Sequence, residues 1–292
     1  MRTSEMARAL HPTWCRERIV TVLKFLGDET GIDKKPTTRI SAIAGLVGNE
    51  KSWEKFDRNW RKVLKAEDIP YFHAVACERA ADEFYGLDVM KRGKIVDRLV
   101  TVIMESSLQP YSHGIVIPHF NAMSLDFRSH YTSGHPDIPY YLCLAQTFME
   151  VSHTADKLPP EEQVLFLFEK QDEFEKDAGI LFQEFKTNPD WPNHVRLADC
   201  HFVPIEDVPK YPGLQAADLL AYESFRQLDN KHFQPKLRPE WKARTAIKVL
   251  AQKLGEYGRY FDKKTLEALE VEHAEWLKEP KWEELDGSKG KR

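Results

Sequence analysis

Short apolar runs that alternate with longer amphipathic segments are the feature that most constrains the fold. The runs are rich in β-branched and aromatic residues and short, which predicts strands rather than helices. The first two lie close enough along the chain to form an antiparallel pair, whereas the later ones alternate with helices and predict parallel crossovers. We therefore expect an α/β sheet that begins antiparallel and ends parallel. The predicted strands cover residues 19–27, 38–47, 114–118, 163–169 and 195–203.

Helical spacing of apolar residues marks the segments between these strands. Ser52 is the predicted N-cap of the first helix, which ends at Asp68 before Pro70. The helix over 140–153 is apolar nearly all round, so most of its sides must be buried. Residues 119–139 lack periodicity and are expected to form a long surface loop. Further helices are predicted over residues 92–108, 172–186, 213–228, 240–255 and 264–278.

Composition excludes several classes of protein. The chain is 42% hydrophobic and 30% charged, which is typical of a globular protein with a sizeable core. No run approaches the length of a membrane span, and the N-terminal residues contain no apolar signal region, so we expect a cytoplasmic protein. The four cysteines are scattered, which argues against a disulfide scaffold. One α/β domain is expected over residues 15–230, with a helical extension over 231–292 that frays at its end.

The net charge of -4 neither favours nor excludes a nucleic-acid partner, which would need a local basic surface. Two segments could supply one, although solvated helix faces often produce such runs. The longer lies within Lys231–Lys253 and comprises Lys231, Lys236, Arg238, Lys242, Arg244, Lys248 and Lys253. The shorter comprises Lys91, Arg92, Lys94 and Arg98. The oligomeric state is left open.

Acidic residues stand where an open α/β sheet places its ligands, at the carboxyl ends of strands. Asp28 and Glu29 follow the first predicted strand, and Glu169 ends the fourth. Asp172 begins the next helix, where the helix dipole alone would favour an acid. Asp218 lies inside an apolar helix, where an unpaired carboxylate is costly. For Asp28 a simple turn role, and for Asp218 a hydrogen bond to a neighbouring group, remain the alternatives.

Three motifs, in this order, resemble the domain-of-unknown-function 3800 family. They are G-D-E-T-G over 27–31, F-H-A over 72–74, and P-G-L-Q-A-A-D-L-L-A-Y-x-x-x-R over 212–226. The family typically has D-E-S-G in the first motif and a leucine-glutamine followed by A-D-L-x-A in the last. The likeness runs from Val20 to Arg226. Thr30 replaces the usual serine, and Glu169 stands where an aspartate is expected.

The resemblance implies a ribonuclease H-like fold: a mixed five-stranded sheet with helices on both faces and its first three strands antiparallel. It also implies that carboxylates from strand one, strand four and the last helix hold Mg²⁺ or Mn²⁺, ions that prefer oxygen ligands. By position these are Asp28, Glu169 and Asp218. Glu29 or Asp172 would be a spare carboxylate, and it is open whether Glu169 or Asp172 is the strand-four ligand.

Several histidines and one further acid are additional candidates. His73 could protonate a leaving group or position a water molecule, although a histidine beside aromatic residues is more often structural. Glu150 is a weaker candidate for an extra ligand, with a plain surface role as the alternative. The spacing of His119, His130 and His135 matches no compact zinc pattern.

Three functions fit these residues. The leading hypothesis is a metal-dependent, nuclease-like phosphodiester hydrolase, in which two ions could activate water and stabilise the leaving oxygen. The second is a non-catalytic binding or structural module on the same scaffold. The third is a hydrolase of another bond, which would use paired carboxylates as general acid and base.

Overall fold

The computed structural model describes residues 23–31, 38–159, 162–170, 175–191, 193–233 and 258–278. Several predicted elements lie partly outside these ranges, and the helix predicted over 240–255 lies wholly outside them. The strands are β1 (Leu23–Thr30), β2 (Ile40–Gly48), β3 (Gln109–Val116), β4 (Val164–Glu169), β5 (Leu197–Val203) and β6 (Gly258–Phe261). The helices are α1 (Glu50–Ala66), α2 (Ala74–Arg79), α3 (Val89–Glu105), α4 (Ile117–Asn121), α5 (Leu125–Tyr131), α6 (Tyr140–His153), α7 (Glu175–Thr187), α8 (Pro212–His232) and α9 (Lys263–Trp276).

The six strands form one mixed sheet in the order β5-β4-β1-β2-β3-β6. Strands β1, β2 and β3 pair antiparallel, and β4 and β5 add parallel to β1 and to each other. The prediction of a sheet that begins antiparallel and ends parallel is therefore confirmed. The expected count of five strands is wrong, because β6 pairs in parallel with β3. The part of the chain expected to form a helical extension thus contributes an edge strand.

Helices cover both faces of this sheet and bury two separate apolar layers. Alternation along a strand sends successive side chains to opposite faces. In β1, Leu26 packs in the first layer, with residues of α1, α3 and α8. Phe25 packs in the second layer, with residues of α5, α6, α7 and α9. Among the described residues, no helix is long and apolar enough to cross a membrane.

Several local predictions fail for identifiable reasons. The N-cap of α1 is Asn49, whose side chain accepts the Ser52 backbone N–H, so Ser52 lies inside the helix. The expected surface loop over 119–139 contains α4 and α5, which bury Phe120 and Phe127. Strand β3 begins earlier than the predicted 114–118, because Ser112 and other polar residues in it are buried and mask the apolar pattern.

Candidate carboxylate site

Helix α8 approaches the sheet closely, and this approach positions Asp218. A Cβ atom on Gly213 would lie 2.5 Å from Leu26 Cδ2 and 2.8 Å from Trp53 Cζ3, so a larger residue would force the helix away. Further along α8, Ser224 Oγ accepts a hydrogen bond from the Ser112 hydroxyl of β3 at 2.7 Å. The helix therefore crosses the first face of the sheet at short range along most of its length.

Asp28, near the end of β1, and Glu169, the last residue of β4, lie on neighbouring parallel strands on this same face. Gly27 of β1 is in register with Phe168 of β4, so Asp28 and Glu169 come next on the two strands. Side chains two residues apart on a strand point to the same face of the sheet. Asp28 therefore shares a face with Leu26, and Glu169 with Leu167, and both leucines belong to the apolar layer beneath α8. The fold thus brings Asp28, Glu169 and Asp218 together on one face of the sheet.

Burial and mutual repulsion make these carboxyl groups hard to ionise. Burial raises the pKa of Asp28 well above its usual value, and the charges of Asp218, Glu29 and Glu169 raise it further. Burial raises the pKa of Asp218 to about 6. Burial and the charge of Asp218 raise the pKa of Glu169. A cation at this place would relieve the repulsion.

Glu29 lies on the opposite face, contrary to the expectation that Asp28 and Glu29 both follow the strand. Strand β1 continues to Thr30, and Glu29 is in register with Ile43, a residue of the second layer. Burial, then the charge of Glu169, raises the pKa of Glu29 to about 8. Its Oε2 atom is buried and has no hydrogen-bond partner among the described residues. Burial, and then the charge of Glu29, raise the pKa of the buried Tyr140 well above its usual value.

His73 lies at the solvent side of the carboxylates. Its side chain is exposed, and its charge lowers the pKa of both Asp218 and Glu169. The backbone around it is held by α8: the Phe72 N–H donates to Gln215 Oε1 at 2.9 Å, and the Ala74 N–H donates to Asp218 Oδ2 at 2.6 Å. The structure therefore brings His73 to the same site as the three carboxylates.

Two residues at this site carry no predicted role, although one of them, Gln215, lies within the motif over 212–226. Gln215 is buried and binds the His73 loop; a polar amide within the apolar side of a predicted helix is the signal that could have revealed it. Glu83 follows α2, and burial raises its pKa while the charge of His73 lowers it. No periodicity in its irregular segment pointed to Glu83.

Glu150 does not belong to this site. It is half-buried on α6, where its carboxylate lies 3.0 Å from His113 Nε2 and accepts the Gln146 side-chain amide at 2.9 Å. Arg259 of β6 lies 3.6 Å from the same carboxylate. Glu150 remains partly exposed, and it joins α6 to β3 and β6. Asp172 lies outside the described residues.

The loop histidines are distributed over separate contacts. The His119 ring lies 5.5 Å from that of His232, and His130 stacks on His273 with 4.4 Å between centroids. His135 contacts Tyr141 at 4.8 Å. Each of the three histidines thus packs against a different ring.

Some residues of the two basic clusters make contacts within the protein. Lys231 Nζ lies 3.0 Å from Asp262, and the remaining residues of Lys231–Lys253 except His232 and Phe233 lie outside the described ranges. In the second cluster, Arg92 donates to backbone carbonyls at the end of α2, and Arg98 pairs with Glu67. Lys91 and Lys94 are exposed on α3.

Within the described ranges, no group of three or more His, Cys, Asp or Glu side chains is arranged around a common metal position. The three carboxylates lie on one face and repel one another, but their oxygen atoms are not arranged to coordinate a single metal ion. No protein-family model matches the chain, and no curated protein matches it. What the fold defines is an α/β protein with a mixed six-stranded sheet and a carboxylate cluster beneath its last long helix.

Proposed function

We propose that this protein is a metal-dependent phosphodiester hydrolase that acts on nucleic acid, built on a ribonuclease H-like sheet. The observation that carries the proposal is the grouping of Asp28, Glu169 and Asp218 on one face, with pKa values raised by burial and by one another's charge. The antiparallel β1–β3 unit, the parallel β4 and β5, and helices on both faces also agree with the fold that the motif resemblance implies.

The donor chemistry of the three residues suits a hard divalent cation. Carboxylate oxygens are the protein ligands that Mg²⁺ and Mn²⁺ prefer. Asp28, Glu169 and Asp218 would hold the ion, after their side chains turn toward it from the positions they occupy in the free protein. When bound, such an ion polarises a phosphoryl oxygen and supplies an activated water.

His73 and the basic segment complete the proposal. The exposed imidazole of His73, beside Asp218 and Glu169, is placed to give a proton to the leaving oxygen. Glu29 is left out of the ligand set because it lies on the other face of the sheet. The basic residues within Lys231–Lys253, which begin at the end of α8, would contact the phosphate backbone of a nucleic acid.

Cleavage of single- and double-stranded RNA and DNA oligonucleotides, with Mg²⁺ or Mn²⁺, tests the proposal. Asp28→Asn and Asp218→Asn should each lower kcat by more than about a hundredfold, the upper end of the loss seen for residues that merely support a ligand. Asp229→Asn, the same change on the same helix, is the matched control and should leave cleavage unchanged. If the folded wild-type protein cleaves none of these substrates with either ion, the proposal fails.

A non-catalytic binding module is the second candidate, and one contact favours it. Asp218 already accepts a 2.6 Å hydrogen bond from the Ala74 backbone, so it could serve only to hold the loop. This alternative predicts no Mn²⁺ binding by calorimetry. It also predicts a loss of about 1–3 kcal/mol in stability for Asp218→Ala, the cost of an unpaired buried N–H.

A further inference from the structure

Helix α8 holds the loop that carries His73 on both sides of that residue. The Phe72 N–H donates to Gln215 Oε1, and the Ala74 N–H donates to Asp218 Oδ2. Residues three apart on a helix are neighbours on one face, so Gln215 and Asp218 present both acceptors from one side of α8. Two hydrogen bonds that flank a single residue fix where its backbone lies relative to the helix.

Gln215 is itself held by its surroundings. It is buried, and its Oε1 accepts a second hydrogen bond, from Trp60 Nε1 at 3.1 Å. Its Nε2 donates to the Pro209 carbonyl oxygen at 3.0 Å. Two donors on one side and a carbonyl acceptor on the other define the orientation of the amide. The side chain is therefore a rigid link between α1, the start of α8 and the His73 loop.

We infer that Gln215 is a positioning residue, which sets His73 over Asp218 and Glu169 by fixing the loop one residue before it. Asp218 then has two tasks, since it holds the same loop one residue after His73 and faces Asp28. The inference deepens the proposed function, because the place of His73 matters for cleavage only if the carboxylates are the active site. The positioning itself can be measured without any activity.

Amide hydrogen exchange in the metal-free protein measures it directly. Gln215→Met keeps the volume but removes the acceptor, and we expect the amides of both Phe72 and Ala74 to exchange about tenfold faster, as for loss of one hydrogen bond. Gln146→Met is the matched control: it makes the same change at a buried glutamine of α6, on the other face of the sheet, so the Phe72 and Ala74 amides should exchange as in the wild type. Gln215→Asn, too short to reach the loop, is measured alongside in case the methionine variant does not fold.

Exchange of the Ala74 amide distinguishes positioning of the whole loop from a purely local effect at Phe72. The acceptor of the Ala74 N–H is Asp218 and not Gln215, so this amide responds only if the loop itself moves. If only the Phe72 amide exchanges faster in the Gln215 variants, the inference is overturned. The second measurement is kinetic: Gln215→Met should lower kcat about tenfold with KM unchanged, and Gln146→Met should change neither. Equal kcat in Gln215→Met and wild type overturns the role in cleavage. A wild type that does not cleave removes the proposed function, while the exchange of the Ala74 amide still decides whether Gln215 positions the loop.

Discussion

Glu29 should make the stability of the metal-free protein fall as the pH rises. Burial, and then the charge of Glu169, raise the pKa of this carboxyl from 4.5 to about 8. Because the folded-state pKa lies above the unfolded one, the folded protein holds an extra proton between these two values. Its free energy of unfolding therefore decreases as the pH rises through this window. The loss of stability caused by ionising Glu29 is absent below pH 4.5 and complete above pH 8.

The size of the effect follows from the same two values. At about 1.4 kcal/mol for each pH unit, the difference between 4.5 and about 8 corresponds to an upper limit of about 5 kcal/mol. Glu29→Gln removes the titration without changing the shape of the side chain. We expect the variant to match the wild type within about 1 kcal/mol near pH 4.5 and to be several kcal/mol more stable at pH 8.

Urea unfolding between pH 4.5 and 9 in the presence of a chelator measures this difference. Glu54→Gln, the same change at an exposed position of α1, is the control and should follow the wild-type curve. The chelator is needed because the charge of Glu169, a proposed metal ligand, contributes to the raised pKa of Glu29. A Glu29→Gln curve parallel to that of the wild type would refute the assignment of Glu29 as a buried carboxyl that resists ionisation.

Three further predictions concern the proposed cation, the α8 contact and the α1 cap. Added Mn²⁺ should raise Tm more at pH 8 than at pH 5, since protons compete for carboxylates whose pKa is raised; equal shifts in a thermal scan would contradict this. Gly213→Ala should cost about 1–3 kcal/mol in urea unfolding, because the new methyl group meets Leu26 and Trp53; an unchanged midpoint would show that α8 can move away freely. Asn49→Ala should cost about 1 kcal/mol through loss of the cap on the Ser52 N–H, whereas Ser52→Ala, measured in the same way, should cost less.

The sequence was sufficient where local pattern and tertiary environment agree. Helix α6 was predicted over 140–153 and begins and ends at those residues, because a segment that is buried on most sides needs apolar residues on all of them. Strand β4 was predicted within one residue of its start, for a similar reason: a central strand covered on both faces reads as a continuous apolar run.

Prediction failed where pairing partners, rather than composition, create an element. Strand β1 was expected to end at residue 27, but β2 supplies backbone partners up to Thr30. Asp28 and Glu29 therefore lie within the strand, and alternation sends them to opposite faces. Strand β6 has only four residues and carries Arg259; it exists because the edge of β3 offers hydrogen bonds, which no local pattern records.

The sequence by itself determined the alternation of strands and helices, the acidic residues near the ends of β1 and β4, and the polar residues of α8. These follow from side-chain chemistry and from periodicities that act over a few residues. Only the tertiary structure decided that Asp28, Glu169 and Asp218 share one face, that Glu29 does not, and that Gln215 holds the His73 loop. The reason is physical: the face of a strand residue depends on its register with a neighbouring strand, and the contacts of Gln215 join residues more than 140 positions apart in the chain.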